Sequence, residues 1–277
     1  MRVVTTRPGA RLPALGLGTW EMGVRRADRT REVAALQLGY DLGMTLVDTA
    51  EMYAQGGAEE VVGESLRGRR DGIFVVTKVL PENASRRGTV RAAERSLQRL
   101  GIDCIDLFLL HWAGDHPLAE TLAGFEELHA AGKIRHWGVS NFDVHEMEAA
   151  EEQPGGSAIA ADQVYYNLAR RGIERRLVPW CAARRIVVMA YSPLDQGRLE
   201  ERPALREVAQ RHDATAAQVA IAWSMRLPET VTIPKAAKAR HVRENAAAAA
   251  LGLDADDIRL LDMAYPAPAI DMPLETL

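Results

Sequence analysis

The sequence is poor in the residues that mark disulfide-bonded and membrane-anchored proteins. It has only two cysteines among 277 residues, Cys104 and Cys181, and each stands alone within an apolar stretch. Because neither belongs to a disulfide or metal-binding pattern, we expect two buried free thiols and no metal site. No run of about 18 apolar residues occurs, and the N-terminal segment lacks the apolar centre of a secretory leader. These absences favour a cytoplasmic protein that does not span a membrane.

The charge balance shows no excess of one sign. Lysine and arginine number 34 against 38 aspartates and glutamates, which gives a formal net charge of -4. Since no broad basic surface is expected, nucleic acids and anionic membranes are poor candidates for a partner. No linker or low-complexity tract interrupts the chain. A length of 277 residues lies within the range of about 200 to 400 that closed α/β barrels occupy, so we expect a single domain over residues 1–277.

Short runs rich in branched apolar residues alternate with longer segments of helical periodicity, which is typical of βα units around a parallel sheet. Eight such runs occur, at residues 15–19, 45–48, 73–78, 104–110, 134–139, 159–164, 186–191 and 230–233. Eight strands favour a closed (β/α)8 TIM barrel over an open sheet. Before the first run, residues 3–4 and 11–12 flank Pro8-Gly9, which predicts a β-hairpin that closes the barrel floor.

The boundaries of several helices are marked in the sequence. Pro117 predicts the start of a helix that ends at Gly132. Thr215 and Gln218 have the spacing of a capping box, in which each side chain bonds the backbone of the other.

Polar residues that suit catalysis stand where the predicted strands end. Asp48 closes the second strand, Lys78 closes the third, and His111 follows the fourth, while Tyr53 lies in the loop after Asp48. In a barrel of this kind the carboxyl ends of the strands meet at one mouth, where the catalytic residues lie. Taken singly, each residue is more often a helix cap or a packing residue. Together, at consecutive strand ends, they indicate an active site.

The chemistry of these four residues suggests a proton donor for a carbonyl oxygen. The phenol of Tyr53 has an ordinary pKa near ~10, and a cation nearby could lower that pKa by about 1 to 3 units. Lys78 is the expected cation, and Asp48 would hold its amine charged. His111 would orient the substrate oxygen through a hydrogen bond.

Residues near the first and last predicted strands could contact further ligands. Gly16 and Gly18 begin a dinucleotide fingerprint, but Glu21 occupies the third glycine position, so we predict no Rossmann fold. Residues 235–245 form a local basic cluster, which is either a phosphate site or a solvated helical face. Trp20 and Trp112 either line a substrate pocket, together with Met52, or serve in packing.

Several motifs in order resemble the aldo-keto reductase family over nearly the whole chain. These are Gly16-Leu17-Gly18-Thr19-Trp20, Asp48-Thr49-Ala50-Glu51-Met52-Tyr53, the strand-end Lys78, His111-Trp112, Gly138-Val139-Ser140-Asn141-Phe142, Gln163, Tyr191-Ser192-Pro193-Leu194, Ile233-Pro234-Lys235 and Glu244-Asn245. The resemblance implies a catalytic tetrad of Asp48, Tyr53, Lys78 and His111, with Tyr53 as general acid. It also implies NADPH as cofactor, with NADH as the alternative.

The resemblance further assigns residues to the cofactor. The nicotinamide would stack on Tyr191, its carboxamide would bind Ser140, Asn141 and Gln163, and Lys235 would contact the extra phosphate of NADPH. The full expected set is Gly18, Thr19, Trp20, Ser140, Asn141, Gln163, Tyr191, Ser192, Pro193, Leu194, Ile233, Pro234, Lys235, His241, Glu244 and Asn245.

Two positions depart from the pattern common in the family. Ala236 replaces a hydroxyl residue, and His241 stands where many members have an arginine beside the adenosine phosphate. These departures leave the choice between NADPH and NADH open.

The overall pattern is most similar to bacterial members that reduce methylglyoxal and other small aldehydes. The expected substrate is therefore a small carbonyl compound, with no metal and no obligate protein partner. Two other functions stay open at this point. Lys78 could form a Schiff base in a barrel lyase, or the chain could be a non-catalytic regulatory subunit that senses the cofactor.

Overall fold

The alternating sequence pattern folds into eight parallel strands separated by helices in the computed structural model, which describes residues 1–277. The strands are β1 (Val3–Thr5), β2 (Arg11–Pro13), β3 (Leu17–Gly18), β4 (Leu46–Asp48), β5 (Phe74–Val79), β6 (Ile105–Leu110), β7 (Ile134–Ser140), β8 (Ile159–Tyr165), β9 (Val187–Tyr191) and β10 (Thr230–Thr232). The helices are α1 (Arg29–Asp41), α2 (Gly57–Ser65), α3 (Arg86–Leu100), α4 (Leu118–Ala130), α5 (Val144–Glu151), α6 (Leu177–Arg184), α7 (Pro203–Arg211), α8 (Ala216–Ser224), α9 (Ala239–Ala247) and α10 (Ala255–Ala264).

The sheet runs in chain order from β3 to β10, with each strand hydrogen-bonded to the next. Its two ends meet through parallel bridges that join Leu15 to Thr232 and Gly18 to Lys235. The predicted (β/α)8 barrel is therefore confirmed. The first predicted strand, 15–19, is shorter than expected because only Leu17–Gly18 pair continuously with β4. Leu15 bridges to Thr232 at the end of the last strand, and Gly18 bridges to Lys235 beyond it.

The predicted floor hairpin is also present. Strands β1 and β2 pair antiparallel, with Val4 opposite Leu12. Both side chains are buried against apolar residues from six different strands of the barrel. This inner cluster includes Leu46, Val76, Leu107, Leu109, Val187, Met189 and Val231. The barrel is thus filled with side chains at this end, and its opposite end is left to carry the polar strand termini.

A second and larger apolar cluster lies between the outside of the sheet and the helices. Cys181 is buried, as predicted, but the prediction for Cys104 is wrong because that residue is only half-buried. The reason is that β6 begins at Ile105, which leaves Cys104 in the preceding loop. None of the helices combines the length and the apolar character needed to cross a bilayer.

The helix signals in the sequence correspond to real boundaries. Helix α4 begins after Pro117, and Gly132 takes the left-handed conformation (φ 71°) just beyond its end. Thr215 and Gln218 form the predicted capping box at the start of α8, with bonds of 3.2 Å and 2.8 Å between each side chain and the other backbone N–H. Such caps satisfy amide groups that have no partner inside the helix.

Candidate active site

Side chains from three consecutive strands and one loop meet at the carboxyl end of the barrel. Asp48 is the last residue of β4, Lys78 lies near the end of β5, and His111 directly follows β6. The Lys78 Nζ donates to both Asp48 carboxylate oxygens at 2.9 Å and 2.8 Å and to the Tyr53 hydroxyl at 3.2 Å. The structure thus places the amine within hydrogen-bond distance of both the carboxylate and the phenol.

The loop that carries Tyr53 has an uncommon backbone. Ala54 and Gln55 both adopt the left-handed conformation, with φ of 50° and 55°, and Gly56 follows with φ of 91°. A Cβ atom on Gly56 would lie 2.5 Å from the Arg99 side chain, so only glycine fits at this position. Arg99 in turn pairs with the buried carboxylate of Glu59 at 2.5 Å. These contacts turn the chain sharply after Tyr53 and hold its phenol over the mouth.

The ion pair beneath Tyr53 is completely enclosed. Burial by itself lowers the pKa of Lys78, but the charges and hydrogen bonds of Asp48 and Tyr53 outweigh that effect and raise the pKa above its ordinary value. Burial raises the pKa of Asp48, and the Lys78 charge opposes this rise. Lys78 also donates to the Thr49 carbonyl at 2.8 Å. The Lys78 amine is therefore a charged ammonium held in one position, because its N–H groups all have acceptors in Asp48, Thr49 and Tyr53.

The prediction that the pKa of Tyr53 lies below its ordinary value is wrong, although the Lys78 charge acts in the predicted direction. Burial raises the pKa of Tyr53, the Lys78 charge lowers it, and the Asp48 charge raises it again, so the pKa lies above its ordinary value. The depth at which the phenol is buried could not be read from the sequence, and burial penalises the phenolate. Tyr53 consequently carries its proton at neutral pH, which is the state that a proton donor needs.

His111 is held neutral beside this group. Burial lowers the pKa of its imidazole to about 2, and the Lys78 charge acts in the same direction. The ring lies 5.8 Å from the Tyr53 ring, measured between centroids. Its Nδ1 atom is buried without a hydrogen-bond partner. A neutral imidazole keeps one N–H donor and can bind an oxygen without adding charge.

A polar network continues around the mouth from β7 to β9. The Tyr191 hydroxyl donates to Asn141 Oδ1 at 2.9 Å, and Asn141 Nδ2 donates to the His111 carbonyl at 3.1 Å. Ser140 donates to the Gln163 carbonyl at 2.8 Å, and Gln163 Nε2 donates to Asp48 at 2.7 Å. The amide nitrogen of Gln163 is therefore engaged with the tetrad, which the sequence did not predict.

Several residues that the resemblance assigned to the cofactor lie where the first and last strands meet, below the tetrad. Thr19 is buried and its hydroxyl donates to the Asp48 carbonyl at 2.9 Å. Gly18 donates its N–H to the Pro234 carbonyl at 3.1 Å, and a Cβ atom on Gly18 would lie 2.7 Å from the carbonyl oxygen of the buried Ile233. A side chain at this glycine would push the first and last strands apart.

Two partly exposed indole rings border the tetrad. Trp20 is 44% exposed and meets the Tyr53 ring edge-on at 5.0 Å. Trp112 is 37% exposed and lies 4.8 Å from the His111 ring. Met52 is half-buried and packs against the outer apolar cluster. The mouth therefore offers apolar walls to a small ligand above Tyr53 and His111.

The basic segment after β10 suits an anionic group. Lys235 is partly exposed, and the nearest carboxylate oxygen, on Glu21, is 4.0 Å from its Nζ. The first turn of α9 contains no acidic residue and includes the exposed His241. Glu244 pairs with Arg240 at 2.8 Å, and Asn245 is buried. Helix N-termini attract phosphate groups, so these residues fit a phosphate-bearing dinucleotide.

The loop after β9 contains residues that the sequence singled out, and one neighbour that it missed. Ser192 is left-handed (φ 50°), its carbonyl accepts from Asn167, and Leu194 after Pro193 is half-buried against the core. The missed neighbour is Tyr165, whose ring stacks on Tyr191 at 5.4 Å with an angle of 2° between the planes. The available signal was that Tyr165 ends β8 as Tyr191 ends β9.

A large cavity lies at the other end of the barrel. It measures about 830 Å³ and is lined by charged residues near the starts of β5 and β6. Arg70 and Arg135 on its wall both pair with Asp106, so much of its charge is already balanced. This cavity lacks the acid, amine and imidazole that meet at the mouth. No group of three or more potential ligand residues is placed to hold a metal ion.

Comparison with known proteins relates this geometry to one family. The sequence model of the aldo/keto reductase family matches residues 14–266. Methylglyoxal reductase YeaE of Escherichia coli is 49% identical over 270 residues, which cover 94% of this chain and 95% of that protein. Glyoxal reductase of Bacillus subtilis is 33% identical over 261 residues, which cover 92% and 89%.

Solved structures are also similar to this chain over nearly its whole length. An aldo/keto reductase from Klebsiella pneumoniae in complex with NADP and acetate has a TM-score of 0.96 and 47% identity, with 99% of each chain covered. A thermostable aldo-keto reductase, Tm1743, in complex with the inhibitor epalrestat has a TM-score of 0.89 and 38% identity, covering 95% of this chain and 99% of that one.

Proposed function

The chain belongs to the aldo/keto reductase family, and we propose that it uses NADPH to reduce small aldehydes or ketones to alcohols. The observation that carries the proposal is the protonated phenol of Tyr53, 3.2 Å from a buried ammonium, at a mouth walled by two indoles. A phenol in this position can give its proton to a carbonyl oxygen as negative charge develops there.

The residues around Tyr191 and Lys235 would hold the cofactor. Asn141 and Ser140 offer amide and hydroxyl groups at the mouth, and Tyr191 offers an aromatic ring beside them. Lys235 offers a partly exposed ammonium for a phosphate group. When bound, a reduced nicotinamide cofactor supplies the hydride that the carbonyl carbon receives. The choice of cofactor is supported by the Klebsiella pneumoniae relative, which was solved in complex with NADP.

The chain's own groups would control the proton. Tyr53 donates it, and Lys78 stabilises the phenolate that remains because its ammonium is fixed 3.2 Å away. Asp48 keeps that ammonium charged and aimed. The neutral His111 would donate a hydrogen bond to the substrate oxygen and so fix its position. In this arrangement the charge that develops in the transition state meets donors that are already in place.

A Schiff-base role for Lys78 is disfavoured by the same contacts. Its amine is fully buried, its pKa is raised, and it donates to Asp48, Thr49 and Tyr53. A nucleophilic lysine needs a lowered pKa and a free lone pair. A purely regulatory subunit would not need a complete proton-donor site, so we favour the enzyme.

We propose small oxoaldehydes such as methylglyoxal and glyoxal as the substrate class. Support comes from the two relatives named for these activities, of which one is 49% identical. Support also comes from Trp20 and Trp112, whose indole rings border the rings of Tyr53 and His111 and could contact a small apolar group. A cytoplasmic location, one domain over residues 1–277, and action without an obligate protein partner are further parts of the proposal.

The test combines binding with turnover. The purified full chain is titrated with NADPH and with NADH by fluorescence, and then supplied with methylglyoxal, glyoxal and nitrobenzaldehyde. We expect saturable NADPH binding and aldehyde-dependent loss of its absorbance. Binding without turnover of any carbonyl compound would favour the regulatory subunit. Trapping of a substrate on Lys78 by borohydride would favour the lyase.

A further inference from the structure

Tyr165 and Tyr191 form a stacked pair at the ends of two neighbouring strands. They are register partners in the parallel pairing of β8 with β9, so their side chains leave the sheet in the same direction. The ring centroids are 5.4 Å apart, and the planes differ by only 2°. Tyr165 is buried, whereas Tyr191 is half-exposed at the mouth. The buried ring therefore backs the ring that faces the mouth.

The pair continues outward through two charged residues. The guanidinium of Arg170, in the loop after β8, lies over the Tyr165 ring at 5.8 Å from its centroid. Glu275, near the C-terminus, pairs with Arg170 at 2.8 Å. Tyr191, Tyr165, Arg170 and Glu275 thus form one continuous series of contacts, which we call the tyrosine column. It extends from the active-site mouth to the last residues of the chain.

Other contacts fix the column at its sides. The Tyr165 hydroxyl donates to Asp195, which lies in the loop after β9. Asn167, from the loop after β8, donates to the Ser192 carbonyl at 2.9 Å. These two bonds tie the loop that follows Tyr191 to the loop that carries Arg170. A rotation of the Tyr191 ring would therefore disturb several partners at once.

The C-terminal segment is held by a second ion pair outside the column. Arg175 pairs with Asp271 at 2.7 Å and also donates to the Ala269 carbonyl at 2.9 Å. Neither Asp271 nor Arg175 takes part in the stacked contacts. The two ion pairs have similar lengths and exposures, so one can serve as the control for the other.

We propose that Tyr165 and Arg170 are positioning residues for Tyr191, and that Glu275 connects the C-terminal segment to retention of the nicotinamide cofactor. This inference rests on the proposed function, which assigns Tyr191 to the nicotinamide ring. A ring that is already held in one plane loses less conformational freedom when a ligand stacks on it. Arg170 strengthens the column by its attraction to the π face of Tyr165, and Glu275 keeps the guanidinium in place.

The first test changes Tyr165. In Tyr165→Leu we expect the NADPH dissociation constant and release rate to rise about three- to tenfold, because this is the effect expected from the loss of one aromatic pair. Maximal turnover at saturating cofactor should change much less, because the tetrad is untouched. Tyr165→Phe keeps the stack and should restore NADPH retention. Fluorescence titration and stopped-flow release measure binding without any substrate.

The second test uses the matched ion pairs. Glu275→Gln should speed NADPH release by about two- to threefold, as expected for one partly exposed pair, whereas Asp271→Asn should leave release unchanged. Both substitutions are at the surface, so the comparison stands even where Tyr165→Leu fails to fold. Thermal unfolding midpoints of all variants report on the fold itself.

The outcomes separate this inference from the proposed function. If the unaltered protein binds NADPH and reduces aldehydes but neither Tyr165→Leu nor Glu275→Gln changes release, the positioning role is wrong and the reductase stands. Equal effects of Glu275→Gln and Asp271→Asn on NADPH release would mean that these ion pairs only anchor the C-terminal segment, and this result would overturn the inference. Failure of the unaltered protein to bind either nucleotide would remove both.

Discussion

Replacement of Tyr53 by phenylalanine isolates the proton donor from the rest of the site. The hydroxyl makes one hydrogen bond, to Lys78 at 3.2 Å, and Lys78 retains both Asp48 oxygens and the Thr49 carbonyl when that bond is lost. The phenyl ring would still meet Trp20 edge-on. A hydrogen bond contributes about 0.5–1.5 kcal/mol to stability, so the free energy of unfolding should change by no more than this.

The effect on catalysis should be far larger. General acid catalysis contributes about 10²- to 10⁴-fold to a rate, which corresponds to about 3–5 kcal/mol of activation free energy. Since Tyr53 has no part in holding the cofactor in our proposal, the dissociation constant of NADPH should stay unchanged. We therefore expect the variant to lose at least two orders of magnitude in turnover while its NADPH dissociation constant stays unchanged.

The assay compares maximal turnover of methylglyoxal with NADPH affinity for Tyr53→Phe and for a control, Tyr40→Phe. Tyr40 is also buried and also donates or accepts one hydrogen bond, with Ser65 at 2.9 Å, but it lies on α1 away from the mouth. We expect the control to keep full turnover. If Tyr53→Phe keeps more than about a tenth of the original turnover, a loss too small for a general acid, then another group supplies the proton.

Three further predictions concern binding, protonation and stability. Lys235→Ala should weaken NADPH more than NADH because only NADPH has the extra phosphate; equal losses in titrations would make the lysine structural. Turnover should show no titration of His111 between about pH 5 and 8, the range of an ordinary histidine, because its pKa is lowered to about 2; a step that disappears in His111→Asn would contradict this. Burial raises the pKa of Asp162 well above its usual value. The stability that its neutral form provides is present below the unfolded pKa of about 3.9 and is lost as pH rises through the folded pKa. Asp162→Asn should therefore raise the unfolding free energy at pH 7 by about 1–3 kcal/mol and lose that advantage in acid, and a difference independent of pH would refute it.

The parts of the fold that were predictable from sequence depend on local patterns. Each predicted strand segment overlaps a barrel strand, since runs of branched residues between helical segments report burial on both faces of a sheet. The capping box of Thr215 and Gln218 could be recognised for the same reason, because both partners lie within one turn. Asp48, Lys78 and His111 could then be expected at one mouth, because the carboxyl ends of all strands in a parallel barrel lie at the same end of the barrel.

Features that depend on distant contacts were not predictable in this way. The bond from Gln163 to Asp48 spans 115 positions in the sequence, so no local pattern reports it. The stack of Tyr165 on Tyr191 requires the register between β8 and β9. The pKa of Tyr53 required its degree of burial, and a nearby cation alone gave the wrong direction. In each case the prediction required knowing which residues lie close together in the folded structure, and no local sequence pattern reports this.

The loop after Tyr53 shows how far local propensity can be overridden at the site. Its sequence, with Gly56 and Gly57 after Ala54 and Gln55, predicts a turn but gives no reason for two non-glycine residues with positive φ. Such a conformation costs about 1–3 kcal/mol for each residue and persists only where surrounding contacts impose it. Gly23 approaches Gly57 so closely that a Cβ atom on Gly23 would lie 2.3 Å from the Gly57 backbone, and Arg99 encloses Gly56. Contacts from the rest of the fold therefore hold the strained backbone directly after Tyr53, whose hydroxyl lies beside Lys78.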